Sequence, residues 1–136
     1  MRILPLLLLL AACSKTAAPP PATTSEKVLR GTVDVKPELK ANLAATDTVY
    51  IIARKGAGGP PLAVKRVTDP KFPLSFELTE KDVMMGGPFD GDVELTVRVD
   101  KDGDAMTKNP GDLVGKGPAG TKVGQTSVNV LIDQTL

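Results

Sequence analysis

An all-β fold is what this sequence predicts, on three observations. Apolar residues recur at every second position in several short runs, as in strands with one buried face. Turn signals built from Gly, Pro and Asp separate those runs. Nowhere does a strand pattern alternate with a long helical one, so a parallel βαβ sheet is not expected.

The chain has 136 residues, a length that suits one domain. Setting aside the first residues leaves roughly 110, enough for one two-layer core. Aromatics are only 3% of residues (Tyr50, Phe72, Phe76 and Phe89, with no Trp), so Val, Leu, Ile and Ala must fill that core. Such a core predicts ordinary rather than extreme stability.

The elements follow in order. Leu29, Gly31, Val33 and Val35 alternate with Arg30, Thr32 and Asp34 in a first strand. Pro37 interrupts the ladder, and one or two helical turns fit Lys36 to Leu43. Thr48 to Arg54 is rich in β-formers and apolar on both faces through Ile51 and Ile52, which predicts a well-covered central strand. Lys55-Gly56-Ala57-Gly58-Gly59-Pro60 is a turn, and Leu62 to Val67 is its hairpin partner. Thr68-Asp69-Pro70-Lys71 is the next turn, before Leu74, Phe76 and Leu78 alternate with Ser75 and Glu77. Thr79-Glu80-Lys81-Asp82 suits a single capped helical turn. After a loop from Met84 to Gly91, Val93, Leu95, Val97 and Val99 alternate with Glu94, Thr96 and Arg98. A polar loop spans Asp100 to Asp112, and Ser127 to Ile132 is the closing strand. About seven short strands fit a two-sheet antiparallel sandwich of immunoglobulin-like type over 28–136. The core Trp and bridging disulfide of antibody domains are absent, so only the architecture carries over.

The N-terminus reads as an export signal over 1–12. Arg2 is its positive end, and the apolar run around Leu6 to Leu10 is too short to cross a hydrocarbon core of about 30 Å. Leu10-Ala11-Ala12-Cys13 resembles the lipobox of bacterial lipoproteins, which implies cleavage before Cys13 and a lipid on its thiol. More than one acyl chain there makes a durable membrane anchor. Ser14, rather than Asp, after the Cys points to the outer membrane of a Gram-negative envelope. Residues 13–27 include Pro19-Pro20-Pro21 and no bulky apolar side chain. They predict an extended tether reaching roughly 40 Å at about 3.1 Å per residue.

Composition also excludes chemistry. Lys and Arg total 17 against 16 Asp and Glu, and loss of Arg2 balances them at 16 each. There is no basic stripe with stacking aromatics, so nucleic acid is not an expected partner. The sequence contains no His, the commonest general base and zinc ligand. No pair of carboxylates converges by pattern, so neither an enzyme, a cofactor nor a small-molecule substrate is expected. Asp100, Asp102 and Asp104 have the first, third and fifth spacing of an EF-hand loop. Ala105 and Gly111 stand where that loop needs Gly and Glu, so a solvated loop is the preferred reading and calcium the alternative. Met84 and Met85 suit packing, or an adaptable apolar patch for a peptide. A copper site with Met106 would lack His or thiolate partners. Gly56 to Gly59 precedes no helix, so it is a turn and not a phosphate loop.

Several pieces together resemble a known family. They are Gly31-Thr32-Val33 with Pro37 and Leu39, Asp47-Thr48-Val49-Tyr50-Ile51-Ile52-Ala53-Arg54, Gly59-Pro60-Pro61-Leu62-Ala63-Val64-Lys65-Arg66 and Phe72-Pro73-Leu74-Ser75-Phe76-Glu77-Leu78. Met84-Met85, Arg98-Val99, Gly103-Asp104-Ala105 and Gly111-Asp112-Leu113-Val114-Gly115 complete the set. Their order and spacing resemble the C-terminal periplasmic domain of the cytochrome c maturation factor of CcmI or CycH type, which chaperones apocytochrome c. The resemblance implies a non-catalytic domain that binds a protein or peptide, with apocytochrome c or the maturation proteins as partners. That family's transmembrane helices and tetratricopeptide repeats have no counterpart in this sequence. A structural envelope lipoprotein, acting as a spacer or scaffold, is the other reading.

Overall fold

The computed structural model describes residues 27–56, 58–84, 86–104 and 108–136. The expected leader, Cys13 and the tether up to Glu26 lie outside the described residues, as do Met85 and Met106. Among the described residues no helix is long and apolar enough to cross a membrane.

Among the described residues seven strands form: β1 (Leu29–Val35), β2 (Thr48–Arg54), β3 (Pro61–Thr68), β4 (Leu74–Leu78), β5 (Glu94–Asp100), β6 (Leu113–Lys116) and β7 (Val128–Thr135). The two helical turns are short and 3-10 in type. Pro37–Asn42 carries its proline in the first turn, where a missing N–H costs nothing. Glu80–Asp82 is closed by a capping box, in which Thr79 and Asp82 each satisfy the other's backbone N–H. The turn after β2 takes positive φ at Gly56 (89°) and Gly58 (78°), which glycine adopts without strain.

The strands hydrogen-bond in the order β3-β2-β5-β6-β7-β1-β4. The all-β, Ig-like class is as expected, and the ladder differs from a pair of antiparallel sheets in two respects. Hydrogen bonding is continuous through all seven strands. One neighbouring pair, β1 with β7, is parallel, with Gly31 opposite Val128 and Val35 opposite Ile132. The first and last strands of the fold thus run side by side, one strand in from the β4 edge.

The sheet curls around a single aliphatic core. Alternate residues of each long strand point inward: Leu29, Val33 and Val35 from β1, Val49, Ile51 and Ala53 from β2, Leu95, Val97 and Val99 from β5. Phe89, in the loop before β5, is fully buried among them. β2 is covered on both faces, since Thr48, Tyr50 and Ile52 are buried as well. On this outer side the cover comes from the loop after β5, where Tyr50 Oη donates to the Gly103 carbonyl at 2.7 Å. The curl brings the two edge strands, β3 and β4, to opposite walls of one cleft.

Candidate functional site

The cleft begins with sheet edges. β4 ends the hydrogen-bonded order on one side and β3 on the other, so each presents main-chain groups that no neighbouring strand uses. They diverge from the connection through residues 69–73. At the far end Val83 bridges back to Ala63, and Met84 N donates to Leu62 O at 3.0 Å. The cleft is open to solvent and holds about 530 Å³.

Its lining is mixed. Phe76, buried at 6% exposure, and half-buried Val67 give it an apolar surface. Gly31 is needed beneath that ring: a Cβ there would lie 2.8 Å from two Phe76 ring carbons. Charges at the cleft are answered locally. Arg30 Nε meets Glu77 Oε2 at 2.6 Å, and Lys65 Nζ lies 4.0 Å from Asp82 Oδ1. Both pairs are partly solvated, so each contributes little stability. Met84, 64% exposed, lies beside the start of β3 and is not part of this lining. The arrangement has shape and hydrogen-bonding capacity, with Thr32, Ser75 and Thr126 as its uncharged polar side chains.

The acidic loop is built differently. Asp100 ends β5 with no exposure, and its Oδ1 accepts from the backbone N–H of Asp102 (2.9 Å) and Gly103 (3.0 Å). Its Oδ2 accepts from Arg98 Nη2 at 3.0 Å. Arg98 also donates to the Asp104 carbonyl at 3.2 Å and lies 5.8 Å from the Tyr50 ring centroid. Asp102 Oδ1 accepts from Asp104 N at 2.9 Å, and its Oδ2 pairs with the Asn109 amide. Burial pushes the Asp100 carboxyl above its ordinary range, and the nearby Asp102 carboxyl acts in the same direction while the Asp102 backbone N–H opposes it. Asp100 and Asp102 are therefore neighbours, with their oxygens turned to the protein's own donors, and Asp104 meets Asp102 through its backbone N–H. Among the described residues no group of three His, Cys, Asp or Glu is placed to hold a metal ion.

Two further buried acids escaped the sequence reading. Asp112 receives Lys101 N at 3.1 Å and Asn109 N at 3.0 Å. Asp47 receives Ala44 N at 2.7 Å and Lys101 Nζ at 2.8 Å. The only sequence signal for this network is an Arg and an Asp two apart on one face of β5.

The family profile described as "Cytochrome c-type biogenesis protein H Ig-like domain" matches residues 29–133. The chain belongs to this family. The cytochrome c-type biogenesis protein CycH of Pseudomonas aeruginosa (strain PAO1) is 37% identical over 92 residues, 62% of this chain and 21% of that protein. The chain thus spans about a fifth of the CycH relative's length. An uncharacterised protein of Aquifex aeolicus (strain VF5) is 33% identical over 111 residues, 80% of this chain and 72% of the relative. Among solved structures, an alternative pilotin of the Vibrio cholerae type II secretion system superposes with a TM-score of 0.46 at 13% identity. It covers 79% of this chain and 96% of its own. The Ig-like CycH domain is thus present here almost from the first strand to the last.

Proposed function

We propose that this CycH-type Ig-like domain is a non-catalytic accessory of c-type cytochrome maturation, which holds an extended segment of apocytochrome c or of a haem-attachment partner. Family membership supports the setting. The observation that carries the binding mode is the open edge of β4 beside the cleft. An extended peptide pairs with such an edge through main-chain hydrogen bonds, while an apolar side chain enters the cleft. Cys13, lipidated and tethered by the Pro-rich stretch, holds the domain at the periplasmic side of the outer membrane.

Titration with overlapping apocytochrome c peptides tests this reading. One or more should bind, and Val67→Lys, which places a charge in the cleft, should weaken the interaction while the far-UV circular dichroism stays unchanged. A deletion strain should lose c-type cytochromes. No peptide bound, with normal cytochrome levels and a defective envelope, would favour a spacer role instead. Radiolabelled palmitate should enter the native chain and not Cys13→Ser; label in both would reject the anchor.

A further inference from the structure

On the side of the sheet away from the core, β2, β5 and β6 form a second groove of about 300 Å³. Ile52 and Val114 give it an apolar lining, and Arg54, Lys108 and Lys116 stand around it. Arg98 also contributes, but its charge is answered by Asp100. Among the described residues no ion pair involves Arg54, Lys108 or Lys116. Glu94 is the single acidic side chain in the lining, and although opposite Arg54 in register it is in none of the ion pairs of the described residues. The whole chain is nearly neutral, with 17 cations against 16 anions, so this groove concentrates unanswered positive charge. The β3–β4 cleft, by contrast, pairs its own.

Exposed apolar surface accompanies that charge. Leu136, 46% exposed, lines the groove, and Leu131, 48% exposed, lies opposite Lys116 in the β6–β7 register. Unpaired cations beside exposed aliphatic groups complement a ligand that carries carboxylates and apolar side chains together.

We propose that this groove docks an acidic, aliphatic-containing peptide segment of a partner protein, at a site separate from the β3–β4 cleft. The register supplies a spacing. Arg54 lies opposite Glu94, and Lys116 opposite Thr96. The two cations are thus two strands and two residues apart, about 12 Å at ordinary sheet spacings. That separation is close to that of carboxylates four residues apart in an extended chain, with the apolar residue between them nearest Ile52, which lies opposite Thr96. The concavity favours a peptide over a membrane surface, which asks for a flat or convex face.

The test uses the purified full chain and a fluorescent peptide containing Glu-Ser-Leu-Ser-Glu, with Lys-Ser-Leu-Ser-Lys as its counterpart. The acidic peptide should bind, and the basic one should not. Added salt should weaken binding, as screening predicts. Charge reversal at Arg54→Glu with Lys116→Glu should weaken it about tenfold or more, and Lys108→Glu by less. Lys71→Glu, in the exposed connection after β3, and Val67→Lys in the other cleft should leave it intact. Should the double variant melt early, Lys108→Glu alone decides, because it lies outside the strands. Equal binding of both peptides, no binding, or indifference to Lys108→Glu and to the reversal would overturn the proposal. So would binding of phosphatidylglycerol vesicles in place of the peptide, which would assign the face to a membrane.

Discussion

Asp100 is a charged side chain without solvent contact, and it is tolerated because three donors reach it. Its removal strands the buried Arg98 guanidinium and releases the amides of Asp102 and Gly103. Asp100→Ala should therefore cost about 3–5 kcal/mol, read as a lower urea midpoint. Tyr50→Phe removes one neutral bond to Gly103 and should cost only about 1 kcal/mol. The spacing of Asp100, Asp102 and Asp104 suggested a metal loop because the same spacing serves two purposes. An Asp can also accept amides two and three residues onward, and burial, which the sequence does not reveal, is what separates the cases. At the surface, Asp90 illustrates the opposite shift. Lys55 Nζ donates to it at 2.9 Å, and that bond holds its carboxyl below the ordinary range. A carboxylate lowered on folding adds stability above its unfolded pKa, and that stability is lost as pH falls through the folded value. An NMR titration should find Asp90 ionised to lower pH than usual. Lys55→Met should move it back up, and no movement would remove Lys55 as the cause.

At the scale of elements, β7 is held closely between β6 and β1. Gly31 of β1 and Gly115 of β6 face it from either side, and a Cβ on them would lie 2.1 Å from the Val128 carbonyl oxygen and 2.4 Å from that of Leu131. The obstacle in each case is backbone, which cannot swing aside as a side chain does. Gly31→Ala should thus destabilise by about 1–3 kcal/mol or more, whereas Gly120→Ala, with nothing within 4 Å, is limited to the cost of its positive φ of 79°. Equal urea midpoints for the two variants would contradict this account. Legibility divides along the same line. The strands β1, β4, β5 and β7 were readable because their own side chains alternate, β2 because it is a run of β-formers apolar on both faces, and β3 because a glycine-rich turn joins it to β2. Leu113-Val114-Gly115-Lys116 is too short to show a period, with a glycine in the middle. The parallel β1–β7 pairing joins distant parts of the chain, and no local pattern encodes it.

For the molecule as a whole, the sequence conveyed the class and not the closure. Aliphatic alternation and turn residues require a two-sided β fold, but whether the ladder breaks into two sheets depends on contacts at β7 that only the assembled chain makes. The cleft inherits the same limit: Lys65 and Val67 meet Ser75 and Phe76 across it because the curl brings both edges together. The groove of Arg54, Lys108 and Lys116 was equally hidden, since three elements supply its charges. What the whole chain does permit is a statement about autonomy. Among the described residues, every strand pairing and every core side chain lies between Val28 and Leu136. A chain beginning at Lys27 should therefore unfold in one cooperative step. Its urea midpoint and slope should equal those of the full chain, because the slope follows the surface exposed on unfolding. A midpoint lower by about 0.5 M, or a shallower slope, would mean that the first 26 residues bury surface on this domain. The Pro-rich stretch would then be part of the fold rather than a tether, and the reach assigned to it from the membrane would be lost.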